Sequence, residues 1–158
     1  MIRVAILTVS DSCAQKKRED ISGQTIKDIL TKNGFEICDK RIVADNREAI
    51  ASELKYFSDE TDVDVLITTG GTGLGPRDIT PGVTDSVCER TIPGLSEIIR
   101  AQGWEKTKSA VLSRGVAGIR NKTLIINLPG SPKGVKESLE IILDLLPHAV
   151  DMMHGQGH

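Results

Sequence analysis

The stretch from Thr68 to Pro81 (TTGGTGLGPRDITP) concentrates residue types that can hold an anion. Gly70, Gly71, Gly73 and Gly75 let the backbone approach a ligand closely and adopt positive φ. The run follows a buried, strand-like segment, 64–69, and ends at Thr80-Pro81, a capping residue with proline at the first helical position. A glycine turn between a strand and a helix start offers free N–H groups and partial positive charge, the chemistry of phosphate binding. Arg77 and Asp78 add a cation and a carboxylate to the same loop. Pro129-Gly130-Ser131-Pro132 repeats the arrangement of strand, tight turn, capping serine and helix.

Two familiar phosphate loops are excluded. A P-loop needs GxxxxGK[ST], and no Lys-Ser or Lys-Thr follows these glycines. The dinucleotide fingerprint belongs after the first strand, where this chain instead has the polar run SDSCAQKKRED. A glycine cluster alone also suits a sharp turn; the Arg77-Asp78 pair and the helix start behind it favour a binding loop.

Elements that would position these residues can be read from the apolar pattern. The segment 2–9 is a continuous apolar run, as a strand covered on both faces requires. Ser22 can cap a helix carrying Ile26, Ile29 and Leu30, and Asn33-Gly34 ends it. A second strand over 35–43 leads to Asp45 and to a helix capped by Asn46, with Ile50, Leu54 and Phe57 at helical spacing. Pro93-Gly94 is expected to break the helix begun at Thr80, with a further short helix around Leu95, Ile98 and Ile99. The segments 116–119 and 124–127 read as a hairpin, and the last helix carries Val135, Leu139, Ile142, Leu145 and Leu146 on one face. Strands alternating with helices imply a three-layer α/β/α fold: a mostly parallel sheet plus a short antiparallel hairpin. The expectation is one domain over 1–150 and a flexible polar tail over 151–158.

The bulk numbers agree with one globular domain of 158 residues, 39% apolar and 27% charged. Aromatics are 3%, so aliphatic side chains must fill the core. A formal net charge of −2 argues against a nucleic-acid binder. Cys13, Cys38 and Cys88 have no metal spacing and fit a reducing compartment. With no leader-like start and no membrane-length apolar run, the expected location is cytoplasmic. His148, His154 and His158 read as part of a solvated tail, without a metal role.

GGTGLGPRDITP resembles the signature loop of the molybdopterin adenylyltransferase family, which embraces MogA, MoaB and the gephyrin G domain. Val9-Ser10-Asp11, Asp20-Ile21-Ser22-Gly23, Asp45, Leu112-Ser113-Arg114 and the segment from Ile126 to Pro132 follow in the family's order, across nearly the whole chain. The resemblance implies a homotrimer with a molybdopterin pocket at the loop edge, and contact with other molybdenum cofactor enzymes. It implies Mg-ATP-dependent adenylylation of molybdopterin with release of pyrophosphate, ATP being co-substrate and Mg²⁺ the cofactor. The alternative is a molybdopterin carrier or assembly protein without adenylyl transfer. Asp78 in the form PRD resembles the active branch.

On that resemblance Asp78 and Asp45 are the catalytic and magnesium-holding carboxylates. A turn aspartate bonding its own backbone is the competing reading for Asp78, and a plain loop residue for Asp45. Gly70, Gly71, Thr72, Gly73 and Thr80 would bind phosphate or pterin, as would Asn127, Pro129, Gly130 and Ser131. Ser113 and Arg114 would face the dithiolene or phosphate end of the pterin, although Arg114 also suits an ordinary surface position. Ser10, Asp11, Ser12, Asp20 and Ser22 would serve the nucleotide or the metal; for Asp20 a solvated loop is the simpler assignment.

Overall fold

The computed structural model describes residues 1–156. Its elements are β1 (Arg3–Val9), α1 (Asp11–Ala14), α2 (Ile21–Lys32), β2 (Glu36–Val43), α3 (Arg47–Asp59), β3 (Val65–Thr69), α4 (Thr80–Val87), β4 (Arg90–Thr91), α5 (Pro93–Lys106), β5 (Ala117–Arg120), β6 (Thr123–Leu128), α6 (Pro132–Ile142) and α7 (Leu146–Met153). The strands form one six-stranded sheet in the order β2-β1-β3-β6-β5-β4. β2, β1, β3 and β6 pair in parallel, whereas β5 runs antiparallel to both β6 and β4.

The continuous apolar runs of β1, β3 and β6 are explained by burial on both faces. Val4, Ile6, Val65, Ile67, Leu124 and Ile126 face one core, completed by Ile26 and Leu30 of α2, Leu95 and Ile99 of α5, Val135 and Leu139 of α6, and Val150 of α7. Ala5, Leu7, Leu66 and Ile125 face the other, against Ile50, Leu54 and Phe57 of α3 and Val83 and Val87 of α4. The sheet is therefore the middle of three layers, as the sequence pattern implied.

Connectivity decides where ligands can enter. β1 leads to α2 and β6 leads to α6, both on the first face, while β3, between them, leads to α4 on the second. Loops that leave neighbouring strands towards opposite faces open a crevice beyond the carboxyl ends. Here the β3–α4 loop has such a crevice on each side.

Several local expectations need correction. Asp20, not Ser22, caps α2: its side chain accepts a hydrogen bond from Gly23 N at 2.9 Å. Thr80 lies one residue inside α4, whose cap Ile79 makes no side-chain bond. Pro93 opens the 14-residue α5 rather than breaking a helix, because α4 has already ended and the two-residue β4 intervenes. The last helical segment is divided: α6 stops at Ile142, a 3-10 turn spans Leu143–Leu145, and Leu145 points outward, 47% exposed. Pro147, which suits a first helical turn, restarts the chain as α7. The 151–158 segment is helical as far as Met153, and His154 Nε2 lies 3.4 Å from Asp64 Oδ1. His158 lies outside the described residues.

Asn127, expected among ligand contacts, is 4% exposed and bonded within the protein. Its Nδ2 donates to Thr68 Oγ1 at 2.9 Å and Thr84 Oγ1 at 3.0 Å, and its Oδ1 accepts from Val116 N at 3.2 Å. The residue thus ties β6 to β3, to α4 and to the segment entering β5. Removing these bonds leaves buried polar atoms unsatisfied, so Asn127→Ala should cost about 2–4 kcal/mol of stability. Urea unfolding of the two proteins measures this; a loss below about 1 kcal/mol would contradict the pinning role.

Candidate active site

Two clefts flank the β3–α4 loop. The first, about 620 Å³, lies over β1 and β3 and is lined by Ser10, Asp11, Ser12, Asp20, Ser22, Asp45 and Gly70 among others. The second, about 480 Å³, lies on the β6 side and is lined by Thr72, Gly73, Ser113 and Pro129, with Leu74, Ala110 and Leu112 as apolar wall. Gly71, Asp78, Gly130 and Ser131 line both. Most residues expected to bind ligand are thereby brought to one rim, and these four form the ridge between the halves.

Backbone contacts hold the ridge. Gly70 has φ +99°, and a side chain there would collide with the Val9 carbonyl oxygen. Gly71 has φ +69°, and a Cβ would strike the Thr80 hydroxyl. Gly70 N donates to Leu128 O at 3.3 Å, and Thr69 Oγ1 donates to Pro129 O at 2.6 Å, tying the two glycine turns together. Ser22 Oγ donates to Gly130 O at 2.6 Å from the first turn of α2.

Arg114 lines neither cleft. Its backbone N donates to Thr72 O at 2.9 Å, Nε to Gly73 O at 3.3 Å and Nη2 to Asp78 O at 3.2 Å. It holds the shape of the glycine loop through these carbonyls, with Nε and Nη2 engaged. Thr80 is also outside the lining: its hydroxyl is buried beneath Gly71 with no hydrogen-bond partner among the described residues. For Asp78 both aspects of the sequence reading coexist. Oδ2 accepts from Gly75 N at 2.8 Å, as a turn aspartate does, while the side chain borders both clefts.

Asp11 and Asp45 brace one another. Asp11 N donates to Asp45 Oδ2 and Asp45 N donates to Asp11 Oδ1, each at 3.0 Å. Arg77 bonds both Asp11 oxygens, at 2.7 and 3.2 Å, and donates to Asp45 O at 3.1 Å. The Asp11 carboxyl is held below its usual pKa, first by the Arg77 hydrogen bond and then by the Asp45 amide. Asp45 is pushed the other way, above the usual value, by desolvation and by the neighbouring Asp11 and Asp78 charges.

Asp20 is not a solvated loop residue. Its side chain is 5% exposed and accepts from Thr8 Oγ1 at 2.7 Å, with Lys40 Nζ at 3.1 Å. Lys40 and Thr8 were not legible as site residues, since each is an ordinary strand position until the β1–α2 loop folds over it. Lys133, beside the second cleft, was missed because a lysine after a helix cap carries no local signal.

The donor set bears on a cation. Among the described residues no three metal-ligand side chains are preassembled. Asp45, which desolvation and two like charges hold away from easy ionisation, and Asp78 nevertheless sit at one rim. This suits a hard cation that brings its own waters and phosphate oxygens and takes one or two carboxylates from the protein. It does not suit an all-protein cage.

The raised Asp45 pKa has a consequence for stability. A carboxyl protonated more readily when folded destabilises the native state once ionised, so stability is lost as pH rises through the folded pKa. Asp45→Asn keeps an acceptor for Asp11 N and removes the charge. It should melt higher than the parent at pH 7, with the gain shrinking as pH falls through the raised pKa and the parent carboxyl protonates. Thermal melts across that range provide the check; a variant that melts lower at pH 7 would reverse the assignment.

Comparison with known proteins agrees with this geometry. A family profile described as “Probable molybdopterin binding domain” matches residues 5–148. The “Molybdopterin adenylyltransferase” of Helicobacter pylori (strain ATCC 700392 / 26695) is 42% identical over 157 residues, 98% of this chain and 89% of that protein. The “Molybdenum cofactor biosynthesis protein B” of Escherichia coli (strain K12) is 37% identical over 142 residues, 89% of this chain and 82% of that protein. The crystal structure of the molybdopterin biosynthesis enzyme MoaB from Thermus thermophilus superposes with a TM-score of 0.93 at 46% identity, covering 98% of both chains. With its sheet order, its glycine ridge and a family match spanning most of its length, the chain belongs to the molybdopterin-binding domain family.

Proposed function

We propose that this protein acts in molybdenum cofactor biosynthesis as a nucleotidyltransferase, moving AMP from Mg-ATP onto the terminal phosphate of molybdopterin and releasing pyrophosphate. One observation carries the proposal: two clefts meet at Gly71, Asp78, Gly130 and Ser131 in a chain of the molybdopterin-binding family. A transfer between two bound substrates needs such a junction, where an attacking oxygen and a phosphorus atom are held in line.

The acidic first cleft suits the nucleotide with its metal, and the second suits the pterin, whose flat ring fits against Leu74, Ala110 and Leu112. Ser131 caps α6 at the ridge, accepting from Gly134 N at 3.0 Å, and the N-terminus of this 11-residue helix favours a phosphate there. Lys133 adds a cation on the pterin side. Asp45 and Asp78 would hold magnesium, which when bound neutralises phosphate charge. Asp11, through Asp45 N, keeps the Asp45 carboxylate at the rim, and Arg114 keeps Asp78 on the ridge. A homotrimer, contact with other enzymes of cofactor assembly and a cytoplasmic location belong to the same proposal. No helix among the described residues is long and apolar enough to cross a membrane.

The test is pyrophosphate release on mixing ATP, Mg²⁺ and molybdopterin. Asp78→Asn should lower the rate by roughly 10²–10³ while leaving molybdopterin affinity within a few-fold, because the charge matters for transfer and not for docking the ring. Equal rates would remove Asp78 from the reaction. Tight molybdopterin binding with no pyrophosphate from the parent protein would identify a carrier instead.

A further inference from the structure

The first cleft has a charge imbalance. Its lining carries Asp11, Glu19, Asp20, Asp45 and Asp78 against one cation, Arg18. Lys40, close by, is engaged with Asp20. A triphosphate entering this cleft would face more negative charge than even a divalent metal offsets, so a further cation must be within reach. Arg77 meets that requirement. It precedes Asp78 in the glycine loop, its side chain is 67% exposed, and its guanidinium lies against Asp11 and the Asp45 carbonyl, both at the cleft wall.

Resting on the adenylyl-transfer reading, we propose that Arg77 is parked on Asp11 and moves to the β- and γ-phosphates of the bound nucleotide, where it holds the departing pyrophosphate. A guanidinium grips a carboxylate and a phosphate through the same paired N–H donors, so the Asp11 carboxylate occupies the place of a phosphate edge. The exchange replaces a two-point grip on a carboxylate with a two-point grip on a phosphate, so it trades like for like. In the transfer, a terminal phosphate oxygen of molybdopterin forms a bond to the α-phosphorus. The bond from that phosphorus to the αβ-bridging oxygen breaks, and its electron pair leaves with pyrophosphate. Arg77 meets the charge that grows on the leaving group, and Asp11 is released from its partner.

A different role would be a strap that fastens the glycine loop to the loops after β1 and β2. The two roles differ in sign for Asp11→Asn, which removes the charge holding Arg77 yet keeps an acceptor for Asp45 N. The experiment is calorimetric titration of the full-length protein with the magnesium complex of α,β-methylene ATP, at low salt. We expect Arg77→Ala to weaken binding about tenfold or more, as for loss of a charge-assisted hydrogen bond, with Arg77→Lys between it and the parent. Asp11→Asn should bind tighter than the parent, because it frees Arg77 while its side-chain oxygen still accepts from Asp45 N. If Asp11→Asn is weakened as much as Arg77→Ala, Arg77 is a strap and the proposal falls. If Arg77→Ala binds like the parent, the proposal also falls, while the adenylyl-transfer reading stands. A parent protein that binds no nucleotide overturns both. Should Arg77→Ala melt early, the comparison of Arg77→Lys with Asp11→Asn carries the same opposite-sign test.

Discussion

The site depends on the close approach of three backbones at the end of β3. Gly70 has the Val9 carbonyl against its α-carbon, its N–H on the Leu128 carbonyl, and Gly130 packed beside it, so that a Cβ on Gly130 would lie 3.3 Å from Gly70 Cα. A side chain at Gly70 would prise the loops after β1, β3 and β6 apart, and with them the two clefts. The contact is forced by topology. Because the chain leaves β3 towards the opposite face from both neighbours, its loop must turn sharply between two others, and glycine at positive φ is what that turn permits. Gly71 and Asp78 stand on the resulting ridge, reachable from either side.

What sequence could and could not reveal follows from where each residue's partners lie. β1, β3 and β6 were legible because burial on both faces demands unbroken apolar runs, and Asn46 and Ser131 because a cap's partner is three residues away. The hairpin turn at Asn121, φ 52°, uses a residue that tolerates the left-handed region. The glycine loop and both turn motifs were legible for the same local reason. Arg114, Asn127, Thr80 and Ser22 do lie near the site, as their motifs implied. The partners of Arg114, Asn127 and Ser22 lie mostly tens of residues away, so sequence could not show that Arg114 braces the glycine loop and that Asn127 ties β6 to β3 and α4. Proline misled at Pro93, since the same residue ends one helix and starts another. β4 is two exposed residues that owe their strand character to pairing with β5.

The site also sets electrostatics against stability. Asp20 is buried but satisfied by Thr8, Lys40 and the Gly23 amide, so its charge strengthens the corner where α2 begins. Asp11 is partly exposed and paired with Arg77. Asp45 differs: it is half-buried, repelled by two carboxylates, and its one recorded side-chain hydrogen bond comes from the Asp11 amide. A fold selected for stability alone would place a neutral residue there. A cation bound at the rim, as the proposed function requires, would offset the desolvation and both repulsions at once by attracting all of the carboxylates.

That asymmetry bears on the choice between a carrier and an enzyme. Holding molybdopterin, an anion with a flat ring, calls for apolar wall, a helix N-terminus and a lysine, all of which the second cleft supplies. The carboxylates of the first cleft would repel such a ligand and do nothing to retain it. Asp11 and Asp20 are engaged within the protein, but Asp45 and Asp78 at the rim favour a partner that brings positive charge of its own, and a metal-bound nucleotide would do so while remaining anionic enough to need the helix N-terminus at the ridge. A fold that only stored the pterin would have no reason to maintain an acidic chamber opening onto the same four ridge residues. An acidic cleft and a cleft with an apolar wall, joined at a shared ridge, are what transfer between two substrates requires, whereas storage of one pterin requires only the second.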